Sequence, residues 1–154
     1  MLEELPTVEH IKKRRPDLYN SWLCPLCNQQ YETFNHIFDC RFARSKVISI
    51  SRDSKFYLRS LIDMHTPHSR RRFISQVNLD INNIWDVSYD FNFITFIDLI
   101  KGFIPHSLTS LLNDFFKDNN ITLVVISSFM DFIYVSIRDK IWLPRCERMI
   151  DLQY

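Results

Sequence analysis

CPLCNQQYETFNHIFDC, residues Cys24 to Cys40, gathers three of the chain's four cysteines and one of its five histidines. The spacing is C-x2-C-x8-H-x3-C. Two cysteines separated by two residues form a short knuckle whose sulfurs turn toward one point. A histidine and a cysteine four apart lie one turn above each other on one face of a helix. One His and three Cys make a standard set for a tetrahedral structural zinc site. The intervening residues suit that geometry. Pro25 stiffens the knuckle, Asn28 tolerates a left-handed turn after it, and Thr33 is placed to cap a helix starting at Phe34. Cys24, Cys27, His36 and Cys40 are therefore the expected ligands of one Zn2+. Four protein ligands leave no position for water, so the expected ion is structural rather than catalytic.

Three other readings of the cluster carry less. A disulfide framework needs an oxidising compartment, and Met1–His10 (MLEELPTVEH) is acidic without the apolar stretch of a secretion signal. A thioredoxin-like redox pair at Cys24–Cys27 expects a surrounding βαβ pattern, which the sequence lacks. Plain buried thiols leave a ligand-type histidine at helical spacing unexplained. An intracellular, soluble protein is the expectation, with nucleus and cytoplasm undistinguished.

Composition narrows the function. Gly102 is the single glycine, and phosphate-cradling loops need several so that the backbone can approach the phosphate and take positive φ. Walker, Rossmann and kinase-type nucleotide sites are excluded on that ground. No nucleophile–base constellation stands out, and no small-molecule substrate is expected. The formal net charge is +1, but it is unevenly spread. Residues 51–72 carry six Lys and Arg against two Asp, whereas residues 73–135 carry two against seven. Such an asymmetry fits either mutual attraction of the two segments or a polyanion-binding surface. The longest apolar run, Ile121–Ile137, is shorter than the ~20 residues of a membrane span and contains Asp131. It reads as a core helix.

The first third of the chain carries a family resemblance. LPTVEHIKKRRPDLYNSWLCPLCNQQYETFNHIFDCRFARSKV, Leu5 to Val47, resembles the zinc-binding domain that follows the polymerase in non-LTR retrotransposon reverse transcriptases. The shared features are L-P-T opening a basic helix, a C-P-x-C knuckle, E-T before a helix, H-x3-C, and a following aromatic and basic stretch, Arg41-Phe42-Ala43-Arg44. The resemblance implies that Cys24, Cys27, His36 and Cys40 ligate zinc and that the ancestral task is binding RNA or DNA. Asn28 replaces the usual glycine after the knuckle, and Val47 stands where a tryptophan is common. No two aspartates are adjacent in the chain, so the metal motif of the polymerase palm is missing. The implied protein is a detached, non-catalytic tail of a retroelement.

Outside the cluster the sequence predicts helices. Thr7 caps one over Val8–Arg15, which Pro16 stops. Its Lys12-Lys13-Arg14-Arg15 run is most often a solvated helix end. Its functional reading is a phosphate-contacting patch, with Tyr19 and Trp22 nearby for stacking. The Phe34 helix is expected to continue to about Ile48, followed by helices at Lys55–Met64, Ser69–Trp85, Phe91–Phe103 and Ser107–Phe116. Arg70-Arg71-Arg72 opens one of them, where the helix dipole disfavours cations, which points weakly to a partner. His65 and His68 read as turn histidines and Cys146 as a small hydrophobe. The last helix runs from Ile121 to about Tyr154, capped by Asn119-Asn120 and kinked or ended by Pro144. Its stripe of Leu123, Ile126, Met130, Ile133, Ile137 and Ile141 is a core face, or the seam of a homodimer through residues 121–143. Apart from a possible extended pair at the knuckle, no strand is expected.

The expected fold class is mainly α: a small Cys3His knuckle-plus-helix module (residues 1–50) followed by an irregular helical bundle (51–154), with a boundary near Ser49–Ser54. The expected function is a non-catalytic zinc protein of nucleic-acid-binding ancestry. A zinc-stapled interaction scaffold that touches no nucleic acid is the alternative. Phosphate-contacting candidates are Lys12, Lys13, Arg14, Arg15, Arg70, Arg71 and Arg72.

Overall fold

Thr7 accepts a hydrogen bond from the backbone N–H of His10 at 3.2 Å and so starts helix α1, Val8–Arg14, as its side chain predicts. The computed structural model of the protein describes residues 7–81 and 83–153; Leu5 and Pro6 of the L-P-T feature and Tyr154 lie outside them. Pro16 ends α1 and at once opens a second short helix, α2 (Pro16–Tyr19), where its missing N–H costs nothing at the first position. The knuckle follows. Asn28 takes φ 51°, and Cys24 N–H donates to the Gln30 carbonyl at 2.7 Å, closing the loop without forming a strand.

Helix α3 (Phe34–Asp39) is capped by Thr33, which accepts from His36 N–H at 3.1 Å. It does not continue to Ile48 as the periodicity predicts. Cys40 leaves the helix with ψ 131°, and the N–H groups of Ala43 and Arg44 both turn back to its carbonyl at 2.8 Å. The chain pivots at Cys40 and restarts as helix α4, Arg44–His65. The boundary expected near Ser49–Ser54 falls inside α4. Ser51 and Ser54 are buried there, and Ser51 Oγ donates to the Trp85 carbonyl at 2.7 Å. The small polar residues Ser51 and Ser54, expected near a boundary, serve instead as a face of close helix packing.

Residues 69–85 do not form the expected single helix. They fold as 3-10 turns at His68–Gln76, Leu79–Ile81 and Asn83–Trp85. Asn78 accepts from Asp80 N–H at 2.9 Å, and Trp85 Nε1 donates to the Leu79 carbonyl at 2.8 Å, so local side-chain bonds displace the α-helical ladder. The same competition shortens the next helix. Asp86 and Asp90 take the N–H groups of Ser88 and Asn92, and only α5, Phe96–Lys101, is helical. Gly102 caps it in the left-handed conformation at φ 96°. Helix α6, His106–Phe116, follows Pro105 one residue earlier than expected.

Helix α7 spans Asn119–Ile137, and its cap is Asp118 rather than the asparagines. The Asp118 carboxylate accepts from Asn120 N–H at 2.8 Å and from Ile121 N–H at 3.3 Å. Pro144 neither ends nor breaks the chain's last stretch. A π-helical turn at Arg138–Trp142 precedes it, and helix α8 continues over Leu143–Gln153. Proline rings collide with the carbonyl four residues back, and the wider turn makes room for that carbonyl.

The fold is mainly α, with eight α-helices and no strand among the described residues. Helix α4 packs chiefly on α7, with Tyr57 and Phe132 stacked at 4.3 Å. Ile126, Ile133, Ile137 and Ile141 are buried on the predicted stripe and Phe129 is buried beside it, whereas Leu123 is 55% exposed. Residues Asn119–Leu152 are together long and apolar enough to cross a membrane, but the stripe faces the core. One hydrophobic cluster joins Cys24, Phe38 and Cys40 near the knuckle to Leu58, Phe96 and Phe129.

Candidate metal centre

The ligand set assembles as its spacing predicts. The thiol sulfurs of Cys24, Cys27 and Cys40 and a ring nitrogen of His36 all lie within 4.8 Å of one another. Cys27 Sγ and His36 Nε2 are 3.4 Å apart. Zinc–sulfur and zinc–nitrogen bonds of about 2.3 and 2.0 Å put tetrahedral ligand atoms roughly 3.5–3.8 Å apart, so four such atoms in this space suit one small ion. No pair of these cysteines forms a disulfide. The four residues can therefore hold a metal ion.

Each ligand is placed by a local feature. The Thr33 cap binds the N–H of His36 itself and so sets the ring's position on the first turn of α3. Cys40 sits one residue beyond that helix, and its outward turn brings the thiol back to the knuckle. Asn28 N–H donates to the Cys24 carbonyl at 2.8 Å, tightening the loop between the first two ligands.

The electrostatics separate the thiols. Burial pushes the Cys24 thiol up to about 12, against the pull of the N–H groups of Cys27 and Leu26. Burial also pushes Cys27 up. Hydrogen bonds from the N–H groups of Gln29 and Gln30 and from His36 outweigh it and bring that thiol down to about 6. Cys40 is raised, first by burial and then by the neighbouring Cys27 charge. Ionising all three thiols in this largely buried group requires a nearby cation, which a metal ion could supply.

The other sequence candidates lie elsewhere. Cys146 is half-buried beside Arg145, and His65 and His68 end α4 and open the following 3-10 turn; none joins the ligand group. The basic residues divide between two elements. Lys12 Nζ lies 4.3 Å from the centre of the Tyr31 ring, tying α1 to the knuckle loop. Lys13 and Arg14 are exposed with no ion pair among the described residues, while Arg15 pairs with Asp17 at 2.9 Å on the surface. Arg70 lies 5.7 Å over the Phe115 ring, drawn toward α6. Arg72 lies 4.8 Å over Phe73, and Arg71 is exposed. Trp22 packs edge-on against Tyr19 at 5.1 Å.

One pair beside the centre escapes sequence reasoning. Glu32 is buried directly before the Thr33 cap, and Arg145 is buried on α8. Arg145 Nε donates to Glu32 Oε2 at 2.9 Å, its Nη2 donates to Oε1, and Val8 N–H also donates to Oε1 at 2.8 Å. This pair fastens α1 and α8 to the loop that carries the metal ligands. With the partners 113 residues apart, neither one's sequence neighbours give a sign of it.

Comparison with family models, with curated proteins and with solved structures returned no match to this chain.

Proposed function

We propose that this protein is a non-catalytic structural-zinc protein in which Cys24, Cys27, His36 and Cys40 hold one Zn2+, and that it binds nucleic acid. The observation that carries the zinc reading is the convergence of three buried or nearly buried thiols and an imidazole nitrogen on one small volume. Thiolate and imidazole together favour zinc, and the knuckle-plus-helix spacing is that of closed structural sites. Its resemblance to the zinc domain of retrotransposon reverse transcriptases supports the nucleic-acid reading. So does the exposure of Lys13 and Arg14 beside the knuckle loop that Lys12 contacts.

A second reading has its own observation. Phe91 is 90% exposed in a segment where Tyr89, Phe93 and Ile94 are exposed too, and such a cluster favours an interaction scaffold. One experiment separates the two. Zinc-loaded protein is tested by gel shift against RNA, single-stranded DNA and duplex DNA at two salt concentrations. Nucleic-acid binding predicts a steep fall with salt, with a log–log slope of roughly −3 for about four contacts to a single strand. It also predicts that Lys13→Glu/Arg14→Glu weakens all sequences alike, because phosphate contacts carry no base information. A protein that shifts no nucleic acid at low salt leaves the scaffold reading.

A further inference from the structure

A cleft of about 450 Å3 lies against the metal loop, and neither the ligand set nor the basic run of α1 accounts for it. Three cations from three elements line it: Lys46 on α4, Lys140 on the π-helical turn and Arg148 on α8. No carboxylate is among its lining residues. Lys46 and Arg148 make no ion pair among the described residues, and Lys140 reaches only Asp53, at 3.6 Å on the surface. By contrast, the apolar cleft between α5 and α7 has a carboxylate, Asp131, as well as Lys101 among its lining residues.

The rest of the cleft is apolar. Leu26 comes from inside the knuckle, Phe42 follows the last ligand, and Ile141 and Pro144 come from the far end of the chain. Phe42 is half exposed, with the Arg41 guanidinium 4.8 Å over its ring. The π-helical turn carries both Lys140 and Ile141 to the lining, and such turns recur at functional sites. Cations set around an accessible aromatic ring and an apolar floor match a phosphate joined to a planar base. Side-chain cations need no glycine loop to reach a phosphate, so the exclusion of glycine-built nucleotide sites does not touch this arrangement.

We propose that the cleft formed by Lys46, Lys140, Arg148 and Phe42 binds a nucleotide unit of a single-stranded nucleic acid, phosphate to the cations and base to Phe42. This rests on the nucleic-acid reading above and places its interface on the α4–α8 side of the knuckle. The volume is that of a pocket for one small planar group rather than for a duplex.

The test uses the full zinc-loaded chain and fluorescence anisotropy of a dye-labelled oligo(U) strand. Removing two phosphate contacts in Lys46→Gln/Arg148→Gln should weaken binding and flatten the salt slope by about 1.4. Phe42→Ala should weaken binding about 5- to 150-fold and leave the slope unchanged. Circular dichroism and zinc stoichiometry confirm that these surface variants stay folded. Free uridine monophosphate should displace the strand only at far higher concentration, having one phosphate instead of many. If the cleft variants bind like wild type while Lys13→Glu/Arg14→Glu loses binding, the nucleic-acid reading stands and the cleft proposal falls. If wild type binds no strand at low salt, both fall. A polyglutamate peptide binding as well as the strand, with Phe42→Ala silent, reduces the cleft to a charged surface and overturns the nucleotide assignment.

Discussion

Arg145 and Glu32 lie 113 residues apart in sequence and meet in the protein interior, where the guanidinium grips both carboxylate oxygens. Trp142 covers the cation, its ring centre 4.7 Å from Arg145 Cζ. Removing one partner of a buried pair leaves an uncompensated charge, which costs about 3–5 kcal/mol. Arg145→Met should therefore lower the urea midpoint sharply in zinc-saturated protein. The double change Glu32→Gln/Arg145→Met should cost less than the two single changes added together, because no bare charge remains. Additive costs would mean that the two side chains do not act as a pair.

The metal centre is tested by removing its last ligand. Cys40→Ser should take zinc stoichiometry from one per chain to none, and the lost binding is on the order of 10 kcal/mol of folding energy for small sites. Hydrogen exchange should accelerate first in residues 7–43. Cys146→Ala and His65→Ala/His68→Ala should keep the wild-type zinc content. Full helicity after chelation, with no zinc in purified protein, would remove the structural role.

Acidity of the thiols gives a titration. In metal-free Cys146→Ala protein, thiolate absorbance should rise by one group per chain with a midpoint near 6, because Cys27 is held down to about 6. Cys24, pushed up to about 12, and the raised Cys40 should stay protonated through neutrality. The sign for stability follows. A thiol depressed below its unfolded value of about 8.5 stabilises the folded state above that value and loses the contribution as pH falls through 6. A raised thiol stabilises below the unfolded value and loses its contribution as pH rises past it. If zinc is bound as proposed, it requires all three thiolates, so acidification should release it by proton competition. Three thiols titrating together would contradict the separation.

Helix α7 offers a contrast between its two faces. Phe129 is fully buried and touches Trp85 edge-on at 6.0 Å. Phe129→Ala should cost about 3–5 kcal/mol in denaturant unfolding. Leu123 is exposed, and Leu123→Ala should stay within about 0.5 kcal/mol if the chain is monomeric. A homodimer through this face would instead appear as a concentration-dependent loss of stability in Leu123→Ala, read by sedimentation. The two outcomes exclude one another.

The cysteine spacing made the candidate metal site legible, because the convergence of side chains at C-x2-C and H-x3-C is decided by chain covalency and one helical turn. Capping was legible at Thr7 and Thr33 for the same local reason. The length of the helices was not. Apolar periodicity carried the Phe34 helix past Cys40, where ψ 131° turns the chain, and it read Ser69–Trp85, which folds as 3-10 turns, as one helix. Local Asn and Asp side-chain bonds mark the break at Asn78 and the late start of α5, and a periodicity count is blind to them.

By itself the sequence determined that the chain is helical, that four side chains share one centre, and that no glycine-built phosphate loop is present. These properties depend on residue type and on neighbours within one or two turns. Tertiary structure alone decided that Ser49–Ser54 is helix interior, that Arg145 closes on Glu32, and that Lys46, Lys140 and Arg148 rim one cleft. Each of these joins groups far apart along the chain, or asks whether a small polar residue faces a neighbouring helix or water. Their energies come from desolvation and packing at contacts that exist only after the chain has closed on itself, and no local pattern encodes them.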